Sequence, residues 1–223
     1  MEIDGARALI AGSAGGFGIE LTRALRSAGA SVVISGRRPS PLAALSAELG
    51  CRAIAADLTA GNSVVGLVAE AAAHLGGLDL VICAVGVVAF GPVSELDDDT
   101  LRELFEVNTL LPIRLARAAL GVLDRGGVII NTTGIVAQKP MAGMAAYSAS
   151  KAALSAFDVA FAREARRVGV HVMDLSPPHM ETGLANRPLA GTPPNLPTGR
   201  DPAEMAQRVV DALANDAAEV DWS

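Results

Sequence analysis

The chain has 223 residues, a net charge of −6 and a composition that is 51% hydrophobic but only 3% aromatic. Its length suits one domain with an aliphatic core, and its charge pattern argues against nucleic-acid binding. It shows no apolar run long enough to predict a membrane span, no secretory leader and no Cys/His clustering that would indicate a metal site. Cys51 and Cys83 lie in apolar runs, so we expect a reducing cytoplasm and no disulfide framework.

Short apolar runs alternate with longer amphipathic runs along the chain. The short runs lack polar alternation, which is typical of parallel strands covered on both faces. The predicted strands are residues 7–11, 31–35, 52–56, 78–84, 128–132 and 170–175, and the predicted helices are residues 18–28, 41–49, 63–75, 100–123, 145–168 and 202–213. This order predicts an α/β fold, a doubly wound parallel sheet in a single domain over residues 1–223. Residues 178–200 break the pattern and predict a substrate loop.

A glycine-rich turn follows the first predicted strand and opens the first predicted helix. Glycines here let the backbone approach a pyrophosphate, whose charge then lies at the helix N-terminus. The alternative is a plain tight turn. The turn has no Gly-Lys-Ser/Thr ending, so a nucleotide-hydrolysing P-loop is disfavoured. The cofactor contacts expected from this turn are Gly12, Ser13, Gly16, Phe17 and Gly18.

The second predicted strand is followed by Arg37 and Arg38. An acid at this point would bind the ribose 2′-hydroxyl of NAD, whereas two guanidinium groups suit the 2′-phosphate of NADP. We therefore predict that NADP(H) is preferred over NAD(H), with two solvated arginines as the alternative. Asp57, after the third predicted strand, is expected either to accept a hydrogen bond from the adenine amino group or to cap the next segment.

The only tyrosine of the chain, Tyr147, stands four residues before Lys151, one of only two lysines. On a helix these two positions share a face, so the side chains can meet. An ammonium beside a phenol favours the phenolate, and we expect the pKa of Tyr147 to be lowered. Tyr147 is then a candidate acid and base near neutral pH. The alternative is a surface pair on a helix.

Together these motifs resemble the short-chain dehydrogenase/reductase family over about the first 182 residues. The resemblance implies a Rossmann-type fold and hydride transfer between NADP(H) and a small-molecule carbonyl or alcohol substrate. Tyr147 would act as acid and base, and Lys151 would lower its pKa and bind the nicotinamide ribose. Asn108 would help to hold a water in a proton relay. The resemblance also implies cofactor contacts from Asp57, Leu58, Ala84, Gly86, Tyr147, Lys151, Pro177, Met180 and Thr182.

One departure from the family pattern concerns the donor to the substrate carbonyl. The family usually has a serine thirteen residues before the tyrosine, and here that position is Gly134. Thr133 is the expected replacement, since its hydroxyl can donate to a carbonyl. If Thr133 faces the core instead, the site lacks this donor. The alternative function is then a cofactor-binding scaffold or sensor with weak or no redox activity.

The two longest predicted helices, residues 100–123 and 145–168, are apolar on more than one face. The family resemblance implies that they pair across a two-fold axis, so we expect a homodimer or homotetramer. We expect neither a nucleic acid nor a membrane as partner. Met141, Met144 and Met180 are candidates for an adaptable apolar pocket, with ordinary packing as the alternative.

Overall fold

A computed structural model describes residues 1–223. The strands are β1 (Arg7–Ala11), β2 (Ser31–Gly36), β3 (Arg52–Ala55), β4 (Leu78–Cys83), β5 (Leu123–Thr132) and β6 (His171–Leu175). The helices are α1 (Gly16–Ser27), α2 (Pro39–Leu49), α3 (Ser63–Leu75), α4 (Asp98–Phe105), α5 (Leu111–Leu120), α6 (Ala145–Ala165) and α7 (Pro202–Ala214). None of them has both the length and the hydropathy that crossing a membrane requires.

The six strands form one parallel sheet in the order β3-β2-β1-β4-β5-β6. The predicted doubly wound fold is therefore confirmed. The chain first moves outward from β1 to β3 and then returns to add β4 on the other side of β1. The strand order thus reverses between β1 and β4, and the crevice beyond their carboxyl ends is where ligands bind in open α/β sheets.

Both faces of the sheet are buried under helices. Along β1, Ala8 and Ile10 lie in the core shared with α1 and α7, whereas Leu9 and Ala11 lie in the core shared with α3 and α5. Successive side chains of a strand point to opposite faces, so a strand covered on both sides must be apolar at every position. This explains why the strands read as uninterrupted apolar runs.

The prediction of one continuous helix over residues 100–123 is wrong. It divides into α4 and α5, which are joined by a π-helical segment, Glu106–Leu110. Pro112 has no N–H to donate to the carbonyl of Asn108 four residues earlier, and its ring crowds that carbonyl. The regular ladder therefore cannot continue through this turn, and Asn108 is placed within the widened segment.

Candidate active site

A cleft of about 530 Å³ opens where the strands end, lined by the segments that follow each of the six strands. Such a crevice is large enough for a dinucleotide or a drug-sized ligand. The cleft is lined by most of the residues predicted from sequence, namely Gly12, Gly16, Phe17, Arg37, Arg38, Asp57, Leu58, Ala84, Gly86, Thr133, Tyr147, Lys151, Pro177, Met180 and Thr182.

The glycine turn after β1 is packed too closely for side chains. Gly12 has φ +87°, and a Cβ there would lie 2.7 Å from the carbonyl carbon of Ala84. A Cβ on Gly16 would lie 2.4 Å from the carbonyl oxygen of Thr182 in the loop after β6. Helix α1 begins at Gly16 with no side chain capping its first amides. Those N–H groups and the helix dipole favour an anion at this end of the cleft.

The structure contradicts the expected cofactor contact for Ser13 and places Gly18 outside the cleft lining. The Ser13 hydroxyl donates to the carbonyl of Ile10 at 2.6 Å and accepts from the N–H of Ser35 at 3.2 Å. These bonds join β1 to β2, so the side chain is fully buried. A Cβ on Gly18 would lie 2.2 Å from the carbonyl oxygen of Gly12. Gly18 is therefore a packing glycine that lets α1 approach the turn.

At the end of β2 the exposed Arg37 and Arg38 face the cleft, and neither forms a salt bridge. Asp57 lines the same region, and its Oδ1 accepts from both the N–H and the hydroxyl of Thr59, at 3.0 and 2.7 Å. These hydrogen bonds, with a smaller contribution from Arg37, lower the pKa of Asp57. Of the two interpretations of Asp57 from the sequence, the structure therefore supports the one in which its carboxylate caps the next segment, through Oδ1.

Tyr147 and Lys151 lie one turn apart on α6 and are both buried, with 7% and 4% of their surfaces exposed. The Tyr147 hydroxyl reaches the cleft and makes no hydrogen bond within the chain. The Lys151 ammonium donates to the carbonyl of Thr132 at 2.7 Å. Burial raises the pKa of Tyr147 to about 12 and lowers that of Lys151 to about 8. The expected lowering of the tyrosine pKa is wrong in this structure, because burial disfavours the phenolate and the Lys151 ammonium makes no hydrogen bond to the phenol.

Asn108 does not line the cleft but supports its wall from behind. Its Oδ1 accepts from the N–H of Val87 and its Nδ2 donates to the carbonyl of Val87, both at 2.9 Å. Nδ2 also donates to the hydroxyl of Ser150 at 3.1 Å, and that hydroxyl donates to the carbonyl of Tyr147 at 2.7 Å. The side chain of Asn108 thus joins the segment after β4 to the helix that carries the tyrosine.

The Thr133 hydroxyl is already used within the protein. It donates to the Asp174 carboxylate and also lies 3.2 Å from the carbonyl oxygen of Leu175, both on β6. This contradicts the expectation that Thr133 is free to orient a substrate carbonyl. The next residue, Gly134, has φ +83° and ψ 159°, a conformation almost confined to glycine. The backbone itself therefore disfavours the serine that the family usually has at this position.

Sequence reasoning missed three groups that lie around Lys151, of which the first accepts a hydrogen bond from its ammonium. These are the main-chain carbonyl of Thr132, which has no sequence signature, and the buried side chains of Asn131 and Asp158, which bond to each other at 2.6 Å. The available signal was the position of Asp158 seven residues after Lys151. That spacing places the acid on the same helix face as the lysine.

The cleft beside Tyr147 is apolar. Val88, Phe90 and Met144 pack with the tyrosine ring, and Leu189 packs against them from the loop after β6. The N–H of Leu189 donates to the carbonyl of Val88 at 2.8 Å, so main-chain pairing fixes the predicted substrate loop against the segment after β4. Met141, Met144 and Met180 all line the cleft, as the pocket interpretation predicted.

This arrangement of a glycine turn, a buried tyrosine and lysine, and a parallel six-stranded sheet is found in a known family. The sequence profile of the short chain dehydrogenase family matches residues 6–190. The chain belongs to this family. It is therefore an NAD(P)-dependent oxidoreductase of the short-chain dehydrogenase/reductase type.

Individual relatives agree with this assignment. A short chain dehydrogenase of Pseudocercospora fijiensis is 33% identical in an alignment of 192 residues that covers 82% of this chain and 62% of that protein. A short chain dehydrogenase from Burkholderia cenocepacia, solved in complex with NADP, has a TM-score of 0.87 at 26% identity and covers 98% of this chain and 96% of its own. BdcA, solved in complex with NADPH, has a TM-score of 0.84 at 25% identity over 97% and 91% of the two chains.

Proposed function

We propose that this short-chain dehydrogenase is an NADP(H)-dependent carbonyl reductase, or the reverse alcohol dehydrogenase, with Tyr147 as its acid and base. One observation carries the proposal. The Tyr147 hydroxyl reaches an apolar part of the cleft without a partner in the chain, one helical turn from the buried ammonium of Lys151. A proton donor held ready in this way is what reduction of a carbonyl requires.

The residues around the cleft fit a phosphorylated dinucleotide. The uncapped first turn of α1 and the side-chain-free surface at Gly12 suit a pyrophosphate. Arg37 and Arg38 present two guanidinium groups that form no salt bridge, which suits a 2′-phosphate. The NADP and NADPH in the two solved relatives support the same preference. Bound in this cleft, NADPH supplies the hydride.

The protein's own residues manage the proton. Because burial raises the pKa of Tyr147 to about 12, the phenol keeps its proton at neutral pH and can give it to a developing alkoxide, which is a stronger base. The Lys151 ammonium, held by the Thr132 carbonyl, lies on the same helix face and stabilises the phenolate that remains. Asn108 and Ser150 hold the first turn of α6, so that the phenol keeps its position in the cleft.

The substrate that suits the site is a small carbonyl compound or alcohol with an apolar body. Val88, Phe90, Met144 and Leu189 form the wall next to the tyrosine. Among all the residues that line the cleft, Asp57 is the only one with a carboxylate. It follows β3, at the opposite side of the sheet from β6. Because no acid is available near Tyr147 to bind a cationic group, we expect neutral apolar ketones to react faster than amine-bearing ketones.

A second candidate is a cofactor-binding scaffold or sensor with weak redox activity. The observation in its favour is the bond from the Thr133 hydroxyl to Asp174, which leaves Tyr147 without a second hydroxyl donor toward a substrate carbonyl. Loss of one such donor typically lowers the rate about a hundredfold or more. This candidate predicts NADPH binding with little or no turnover.

The test is to measure NADPH binding by fluorescence and NADPH oxidation across matched neutral and amine-bearing ketones. We expect binding, together with oxidation that is faster for the neutral ketones. Binding without oxidation of any substrate supports the scaffold instead. An absence of both would contradict both candidates.

We further propose a homodimer or homotetramer in a reducing cytoplasm. The apolar Leu110, Val159 and Val168 stand 43%, 61% and 50% exposed on or next to α5 and α6, and association would bury them. Cys51 and Cys83 are free thiols, which suits a reducing compartment. Sedimentation as a monomer at micromolar concentration would contradict the oligomer.

A further inference from the structure

Helix α6 is attached to the end of β5 by a line of polar side chains. Lys151 and Asp158 lie two turns apart on one face of the helix. Lys151 donates to the carbonyl of Thr132, and the adjacent Asn131 donates through Nδ2 to Oδ1 of Asp158 at 2.6 Å. Consecutive residues of one strand therefore hold both Lys151 and Asp158.

The hydrogen bond between Asn131 and Asp158 leaves one buried oxygen on each side chain without a partner. Asn131 is 1% exposed and Asp158 is 2% exposed. The amide oxygen of Asn131, Oδ1, and the second carboxyl oxygen of Asp158, Oδ2, are buried and have no hydrogen-bond partner. Both atoms are acceptors if Asp158 is ionised, and leaving buried acceptors unpaired is costly. A single proton on Oδ2 of Asp158, donated to Oδ1 of Asn131, satisfies both oxygens.

We propose that Asp158 is a neutral carboxylic acid that forms a cyclic, two-hydrogen-bond pair with the Asn131 amide, and that this pair is a positioning device for Lys151. The pair fixes Asn131, and the next residue supplies the carbonyl that holds the lysine ammonium. Asp158 touches neither the cleft nor the reacting atoms, so it acts through the strand.

The charges around Asp158 act in opposite directions, because the carboxylate of Asp174 raises its pKa and the ammonium of Lys151 lowers it, while burial is the largest cause of the rise. The titratable groups that face it are Lys151 on α6, Asp174 on β6 and, near the same lysine, the buried thiol of Cys83 on β4. Asp174 accepts from Thr133 and from Ser155 and is therefore the better-solvated carboxylate of the two. Burial raises the pKa of Asp158 to about 8, and Asp174 adds to this rise. In this proposal, Lys151 faces the carboxylate of Asp174 and the neutral carboxylic acid of Asp158.

The protonation claim can be tested without turnover, which matters because the positioning role rests on the proposed function. We would record infrared spectra of the full-length wild type and of D158N at neutral pH and above the pKa of Asp158. The expected difference spectrum shows the carbonyl stretch of a protonated carboxylic acid at neutral pH, replaced by carboxylate bands at high pH. If the difference spectrum between wild type and D158N shows carboxylate bands of Asp158 already at neutral pH, the proposal is overturned, whether or not the protein reduces ketones.

The same pair of proteins gives an unfolding test. A carboxyl group that stays protonated only in the folded state makes the unfolding equilibrium constant rise about tenfold per pH unit between its unfolded and folded pKa values. This stability is present at low pH and is lost as pH rises through about 8. The ratio of wild-type to D158N unfolding constants should therefore rise from weakly acidic to neutral pH. A constant ratio would contradict a neutral Asp158.

The positioning role is tested by activity. D158A leaves the Asn131 amide unpaired, and we expect kcat to fall about tenfold. D158N can form the same cyclic pair, so it should lose much less than D158A. Because an ionised Asp158 helps Lys151 to keep its proton at high pH, the alkaline limb of kcat should shift to lower pH in D158N. Equal losses in the two variants, or an unshifted limb, would refute the positioning role.

Discussion

The ammonium of Lys151 donates to the main-chain carbonyl of Thr132 at 2.7 Å, and it makes no hydrogen bond to Tyr147 on the preceding turn of the same helix. The lysine is thus fixed by β5, while the phenol is left unpartnered at the cleft. In the mechanism that we propose, the tyrosine is the proton donor and the lysine is its electrostatic support.

The first prediction concerns pH. Burial lowers the pKa of Lys151 to about 8, so the side chain is charged at neutral pH and loses its charge as pH rises through that value. The neutral amine no longer stabilises a phenolate, and kcat/KM for ketone reduction should fall about tenfold per pH unit above the pKa. The measurement is a pH–rate profile, with Lys139→Ala, which alters the exposed second lysine, as the matched control. An unchanged rate well above the pKa would contradict this role for Lys151.

The second prediction concerns Thr133. Its hydroxyl donates to Asp174, so Thr133→Val should reduce the free energy of unfolding by about 1–3 kcal/mol, while Thr133→Ser should be close to wild type. Denaturant unfolding measures this, and we expect kcat of the folded Val variant to change little. The reverse result, with unchanged stability and about a hundredfold lower kcat, would show instead that the hydroxyl serves the substrate carbonyl.

The third prediction concerns cofactor choice. Replacing both Arg37 and Arg38 with alanine should weaken NADPH binding about tenfold or more, because charge-assisted hydrogen bonds to a phosphate are lost. NADH, which has no 2′-phosphate, should bind equally well to both forms. Arg163→Ala, an exposed arginine on α6 away from the cleft, is the matched control. If wild-type protein binds NADH more tightly than NADPH, the assignment is wrong.

The sheet was predictable from sequence because its inner strands β1, β2 and β4 are covered on both faces and read as continuous apolar runs. The interruption of the long helix near Asn108 was harder to predict, although Pro112 is its physical cause. The π segment keeps the backbone helical between α4 and α5, so the sequence pattern shows only the proline as an interruption. The signal for the helix therefore outweighed the signal for its interruption.

The site was predictable in its members more than in its chemistry. The Tyr147 and Lys151 spacing placed both side chains correctly, but the direction of the tyrosine pKa depends on how deeply the phenol is buried. A motif does not encode that depth. In the same way, the hydroxyls of Ser13 and Thr133 were predicted to face ligands, and both bond to the chain itself. The residue type identifies a hydrogen-bond donor, but the tertiary packing determines which acceptor it bonds to.

The most direct test of the central claim is a comparison of wild type with Tyr147→Phe. The variant removes only a hydroxyl that makes no hydrogen bond in the chain, so we expect its unfolding free energy and NADPH affinity to stay close to wild type. NADPH oxidation by the best ketone substrate should fall by about a hundredfold to ten-thousandfold, because the proton donor is gone. A Tyr147→Phe protein that reduces the ketone at the wild-type rate would contradict the account.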